Sequence, residues 1–204
     1  MPVNNHFCSM RGDNISIHPS SIVDEGVVIG NGTRIWHFCH LMPGSSIGNN
    51  CIVGQNVYID KNVLIGNGVK IQNNVSVYDG VTIEDDVFLG PSVVFTNVIN
   101  PRSFIERKNE FRKTVIKKGV TIGANATILC GIEVGSYALI GAGSVVINNV
   151  PAFALVVGNP ARQTGWVSIN GKTLNFDEAG IGICPETGQK YKLENQTIKP
   201  MFSY

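Results

Sequence analysis

The residue types able to do chemistry are sparse and unevenly placed. All four histidines, His6, His18, His37 and His40, lie in the N-terminal fifth of the chain. A catalytic zinc held by histidines alone needs three converging imidazoles. Repeat spacing stacks His18 over Trp36, away from His37 and His40, so no three-histidine centre is expected within one chain, and no metal. The five cysteines, Cys8, Cys39, Cys51, Cys130 and Cys184, form no C-x-x-C pair. They read as packed thiols in a reducing compartment rather than a disulfide framework or zinc site. Between Arg102 and Lys118 run seven cations, Arg102, Arg107, Lys108, Arg112, Lys113, Lys117 and Lys118, against Glu106 and Glu110 alone. In a chain whose net charge is only +1, that concentration implies a local anion. Immediately before it stands Phe95-Thr96-Asn97-Val98, with no histidine nearby. A hydroxyl acceptor would need a base there, whereas a neutral amine is already a competent nucleophile. Asn97 is therefore the candidate catalytic residue, orienting an amine without accepting its proton.

These residues must be positioned by something, and a six-residue repeat supplies it. Stepping by six from Ile17 gives an unbroken column of large apolar residues as far as Phe95, and the column resumes from Ile116 to Val146. Four residues after each member sits a small or β-branched partner such as Val27, Thr33, Cys39 or Val57. A period of six fits neither a helix nor simple strand alternation. It fits a coil with a corner every six residues, three hexads closing one triangular turn of about 18 residues, so that residue n pairs with n+18 as a parallel strand. Twenty hexads give about six to seven coils. The expected fold is all-β, a parallel β-helix over residues 17–151, preceded by a segment at 1–16. An excursion at about 98–113 and a C-terminal cap with a small β extension at 152–204 complete it. In that extension Asn170-Gly171 and Cys184-Pro185-Glu186-Thr187-Gly188 read as turns.

Composition excludes several classes. Charged residues are 15% of the 204, with 16 basic against 15 acidic, so no global field draws the protein to nucleic acid or to an anionic membrane. No secretory signal and no apolar run of about 18 residues occur, and the chain reads as cytoplasmic.

The hexads resemble the hexapeptide-repeat, left-handed parallel β-helix family, and left-handedness is implied by that resemblance alone, since parallel crossovers are normally right-handed. Longer runs carry a narrower resemblance: Arg34-Ile35-Trp36-His37-Phe38, Gly54-Gln55-Asn56-Val57, Lys70-Ile71-Gln72-Asn73-Asn74-Val75-Ser76-Val77-Tyr78-Asp79, Phe95-Thr96-Asn97-Val98, and Val157-Gly158-Asn159-Pro160-Ala161-Arg162. These look like bacterial nucleotide-sugar N-acetyltransferases, with greatest similarity to those acting on the 3-amino group of a UDP-linked 2-acetamido-3-amino-2,3-dideoxy-glucuronate in surface polysaccharide (O-antigen) biosynthesis.

The resemblance implies acetyl-CoA as co-substrate, a homotrimer with sites between subunits, and an asparagine at the position of Asn97 beside the sugar. Asn74 and Tyr78 become sugar contacts, and Arg34, His37 and Arg102 partners for diphosphate or uronate. Acetyl-CoA is expected along the later coils, its pantetheine arm against the stacked small residues Gly123, Ala124, Gly141 and Ala142. Its phosphates would meet Lys117, Lys118 and Arg162, and its adenine end would emerge past Asn159 and Pro160. Direct attack by the amine, with no acetyl-enzyme on Cys130, is the expected chemistry. A dTDP-linked 3-amino sugar, a 4-amino nucleotide sugar, and a non-catalytic β-helix scaffold are the alternatives.

Overall fold

A computed structural model describes residues 12–201; His6 and Cys8, with most of the segment expected at 1–16, lie outside them. Two-residue strands stack into three parallel sheets, the faces of a triangular prism. The first face carries Ser16–Ile17, Arg34–Ile35, Ile52–Val53, Lys70–Ile71, Phe88–Leu89, Thr121–Ile122 and Leu139–Ile140. The second runs from Ile22–Val23 up to Val145–Val146, and the third from Val28–Ile29 up to Glu133–Val134. Below the excursion the register advances by one 18-residue rung, Arg34 opposite Ile52 and Ile35 opposite Val53. This is the parallel β-solenoid of hexapeptide repeats that the spacing predicts, consistent with a left-handed β-helix.

The reason lies in the two inward columns. The second residue of most strands and the residue four places on are buried, from Val27 and Ile29 to Ala138 and Ile140. Burying each such side chain contributes roughly 1.5–3 kcal/mol, which no single rung could collect without neighbours above and below. Where a hydroxyl replaces the smaller partner it is satisfied internally. Buried Thr33 donates from Oγ1 to the Gly48 carbonyl (2.8 Å) and accepts from the Cys51 N–H (3.0 Å).

The corners explain the Gly-Asn pairs. At the corner between third and first faces, the side-chain oxygens of Asn31, Asn49, Asn67 and Asp85 each accept the backbone N–H of a residue one rung below, at 2.7–2.8 Å. The ladder pins the rungs in register.

The stack continues one rung beyond the expected end at 151. Ala154–Gly158 pairs in parallel with Leu139–Ile140 on the first face, then turns back antiparallel into Ala161–Trp166. Turns do form at Asn170-Gly171, where Gly171 donates to the Ser168 carbonyl, and at Cys184–Gly188, where Gly188 donates to the Cys184 carbonyl. A three-stranded antiparallel sheet of Ile181–Ile183, Lys190–Glu194 and Thr197–Met201 closes the chain. Among the described residues no helix is long and apolar enough to cross a membrane.

Candidate active site

The excursion leaves the prism after Val94–Phe95 and returns at Thr114–Ile116, so it occupies the corner between second and third faces. Its neck is tied by backbone. The Asn97 carbonyl accepts from the Arg112 N–H at 3.0 Å, and Thr96 Oγ1 accepts from the Cys130 N–H at 2.9 Å. Asn97 thus stands on fixed ground where the loop departs, while the loop holds one short 3-10 turn at Lys108–Glu110. Tyr78 stands at this same corner one rung lower, against Tyr58 with ring centroids 6.1 Å apart. Burial, reinforced by Asp60, pushes the Tyr58 hydroxyl above its ordinary range. Below it, His40 Nε2 meets Asp24 Oδ2 at 3.0 Å. Sequence reasoning passed over this pair because it judged His40 only as a metal ligand.

The basic segment is less free than its composition suggests. Arg107 pairs with Glu110 at 2.7 Å. Lys117 and Lys118, expected to meet cofactor phosphates, lie at the third–first corner and face carboxylates instead. Lys117 Nζ is 3.1 Å from Glu84 and 3.8 Å from Glu133, and Lys118 Nζ is 3.5 Å from Asp86. The hydrogen bond to Glu84 raises the Lys117 ammonium above its usual range. Arg102, Arg112 and Lys113 make no ion pair among the described residues; the Arg112 side chain lies against Gly131, and the Arg102 guanidinium donates to the Pro101 carbonyl.

A second group gathers at the upper first–second corner. Gly123-Ala124 and Gly141-Ala142 stack as expected, and Val157, leading into the hairpin tip of Asn159 and Pro160, packs over Gly141, with the Gly158 N–H donating to Ser144 Oγ at 3.2 Å. Arg162 projects into solvent beyond that tip. The smallness of the glycines has a local cause that spacing did not reveal. A Cβ on Gly123 would lie 2.5 Å from the Ala142 nitrogen, and one on Gly141 2.7 Å from Val157 Cγ1. They are small because the next layer of the same chain needs the room. Cys130 is buried.

The remaining candidates sit lower. Arg34 and His37 belong to the second rung, three rungs beneath Asn97, about 14 Å at ~4.8 Å per rung. The expected stacking of His18 over Trp36 is not found. The backbones are in that register, but at the corner Trp36 swings outward to 48% exposure and the His18 and His37 rings stack, centroids 3.5 Å apart. Asn74 is also displaced from expectation. It occupies the first–second corner, its Oδ1 accepting from Asn56 Nδ2 at 3.1 Å, a full face from Tyr78 and Asn97. One chain therefore brings Asn97 and Tyr78 to one corner, from which the loop bearing Arg102 departs, His37 and Asn74 to another, and Arg34 to the first face.

Known proteins match this chain along its length. The model of the family described as bacterial transferase hexapeptide (six repeats) matches residues 26–61, 62–97 and 113–148. A dTDP-3-amino-3,6-dideoxy-alpha-D-galactopyranose 3-N-acetyltransferase from Aneurinibacillus thermoaerophilus is 45% identical over 194 residues, covering 95% of this chain and 98% of that protein. A serine acetyltransferase from Haemophilus influenzae is 44% identical over 72 residues, 35% of this chain and 27% of that one. Among solved structures, a UDP-N-acetylglucosamine acyltransferase from Bacteroides fragilis shares the fold at TM-score 0.63 and 18% identity, over 78% of this chain and 70% of that one.

Proposed function

Because the chain belongs to the bacterial hexapeptide-repeat transferases, we propose that it moves the acetyl group of acetyl-CoA to the amine of a nucleotide-linked 3-amino sugar. The observation that carries this reading is the relative aligned along nearly the whole of both chains, excursion included, whose name specifies a dTDP-linked 3-amino sugar as acceptor. The geometry supports an amine acceptor. Asn97 offers an amide oxygen to orient N–H groups, and no histidine lies among residues 94–113.

In this mechanism the neutral amine attacks the thioester carbonyl carbon, the C–S bond breaks, and the departing sulfur takes the proton released by nitrogen. Asn97 holds the amine in line and Tyr78 lies against the sugar. Catalysis comes from positioning, for which a well-oriented pair is worth up to about 7–11 kcal/mol. Acetyl-CoA lies along the upper first–second corner under Asn159 and Pro160, with Arg162 rather than Lys117 or Lys118 reaching its phosphates. Because that corner and the Asn97 corner are different edges of one prism, the site is completed between copies in a homotrimer. The enzyme works in the cytoplasm, supplying acetamido sugars for surface polysaccharide.

A second reading, a UDP-linked 3-amino uronate, is favoured by the motif runs and by Arg102 and Arg112 of the excursion, which make no ion pair among the described residues and whose guanidinium groups suit a carboxylate bidentately. The test is thiol release from acetyl-CoA with UDP- and dTDP-linked 3-amino and 4-amino sugars, the uronate among them. Turnover on the dTDP 3-amino hexose supports the first acceptor and turnover on the uronate alone the second. Silence throughout, without acetyl-CoA binding, refutes an acetyltransferase.

A further inference from the structure

A shallow depression of about 260 Å³ opens at the lower first–second corner, where Trp36 stands beside Ile52, Gln55 and Gln72. Its composition is specific. The Trp36 ring is 48% exposed and held nearly parallel to His37, 11° between planes with centroids 6.3 Å apart. His37 is in turn stacked on His18, so the aromatic platform is braced from behind. The side-chain amides of Gln55 and Gln72 make no hydrogen bond among the described residues. Asn73, by contrast, is occupied, its Oδ1 accepting the Gln55 N–H at 2.8 Å. No charged side chain lines the hollow.

Charge stands just outside it. The outward row of the first face reads Arg34, Ile52, Lys70 on successive rungs. Ile52 forms the apolar floor, and the two cations flank it one rung away on either side, about 4.8 Å each. Neither cation makes an ion pair among the described residues. An exposed aromatic face, two carboxamides free of protein partners among the described residues and two cations without ion pairs there match the parts of a nucleoside diphosphate. The base stacks on the indole, the donor and acceptor of a carboxamide pair with the imide edge of a pyrimidine, and the cations meet the diphosphate. We propose that this corner is the nucleotide subsite, taking a pyrimidine base on Trp36 with Gln55 and Gln72 reading its edge and Arg34 and Lys70 holding the diphosphate. The proposal rests on the nucleotide-sugar reading above and adds Trp36, Gln55, Lys70 and Gln72 to it.

The chain contains only two tryptophans, and Trp166 is buried, so quenching of exposed-indole fluorescence reports on Trp36. The experiment titrates dTDP, UDP, GDP and ribose 5-phosphate into the full-length protein, with calorimetry in parallel. Quenching by dTDP or UDP and none by ribose 5-phosphate is expected. Trp36→Ala should weaken the pyrimidine nucleotide roughly 5- to 150-fold, the span of one lost base stack, and Trp36→Phe should recover most of it. Lys70→Ala should weaken dTDP while leaving thymidine unchanged. Nucleotide affinity unaltered in Trp36→Ala, or GDP bound in preference to both pyrimidines, overturns the subsite. The two readings fail separately. Unchanged KM for an acetylated nucleotide sugar in Trp36→Ala removes the subsite and leaves the acetyltransferase standing. Quenching by dTDP with no acceptor acetylated does the reverse.

Discussion

Substituting the corner glycines separates two reasons for their smallness, and Gly123→Ala is the sharpest case. The added Cβ would stand 2.5 Å from the Ala142 nitrogen and 2.8 Å from both the Ala142 Cα and the Gly141 carbonyl carbon. All three are backbone atoms of the next rung, so no side chain can swing away and the rung itself must retreat. Overpacking of this kind costs about 1–3 kcal/mol, and at roughly 2–4 °C per kcal/mol for a chain of this size the melting temperature should fall about 2–12 °C. Two neighbours serve as controls. Gly143 has no atom within 4 Å of a built Cβ but sits at φ +69°, so alanine there pays only left-handed strain, about 1–2 kcal/mol. Gly165 has open space and no such φ, and alanine should change stability by less than about 0.5 kcal/mol. Thermal melts followed by circular dichroism give the order, and amide exchange at Ala142 localises the damage, since a rung contacts only its neighbours. Acetyl-CoA binding is measured on the same samples below the transition. If Gly123→Ala melts like the parent yet loses acetyl-CoA affinity, the rung-stacking account is wrong and the glycine is kept for the ligand.

The other predictions concern chemistry. Asn97→Ala should lower kcat roughly 10²-fold, the scale of a misplaced reacting group, and unaltered turnover would remove Asn97 from the site; Cys130→Ala should retain activity, whereas its loss in a folded variant would point to an acetyl-enzyme. Burial pushes the Cys184 thiol up, but Ser168 Oγ at 3.2 Å, Thr187 and the backbone N–H groups of Glu186 and Thr187 outweigh it and bring it down to about 7. A depressed acid stabilises the fold fully above its unfolded value, near 9, and loses that contribution as pH falls through about 7. The stability gap between parent and Cys184→Ala should therefore widen from pH 6.5 to 9 in denaturant titrations, and a flat gap would refute the thiolate. Finally, if Asn97 and Trp36 of one site come from neighbouring copies, co-refolding equal amounts of Asn97→Ala and Trp36→Ala should restore roughly a quarter of parental activity by random assortment in a cyclic trimer, whereas sites built within one chain would restore none.

The prism itself was readable from Ile17 to Val146 because each inward position repeats at a fixed interval, and burial confirms the column at Ile29, Leu41, Ile59 and onward. Corners were legible as glycine and asparagine but not in their detail. Backbone spacing placed His18 over Trp36, yet the left-handed residue at Phe38 (φ +58°) belongs to a bend that turns Trp36 outward and His37 over His18. Lys117 and Lys118 counted as free charge because their carboxylate partners, Glu84 and Asp86, lie 33 and 32 residues earlier, across the excursion, and a local tally cannot see across it. Lys70 was within reach of the same arithmetic: 36 residues after Arg34, it must face the same way two rungs up. A single cation on a strand carries a weaker signal than the dense run after Arg102.

The excursion has a consequence for how such chains diversify. Thr114 pairs with Val81 and Thr121 with Phe88, a step of 33 residues where the rungs below it take 18, and the inward columns resume without a fault. An insertion at a corner is thus invisible to the core, because the chain leaves and re-enters at one edge. The part that carries Asn97's neighbours can lengthen, shorten or be exchanged without renegotiating a single buried contact. Acceptor preference can then drift, or be engineered by grafting loops, on a frame whose folding code stays untouched.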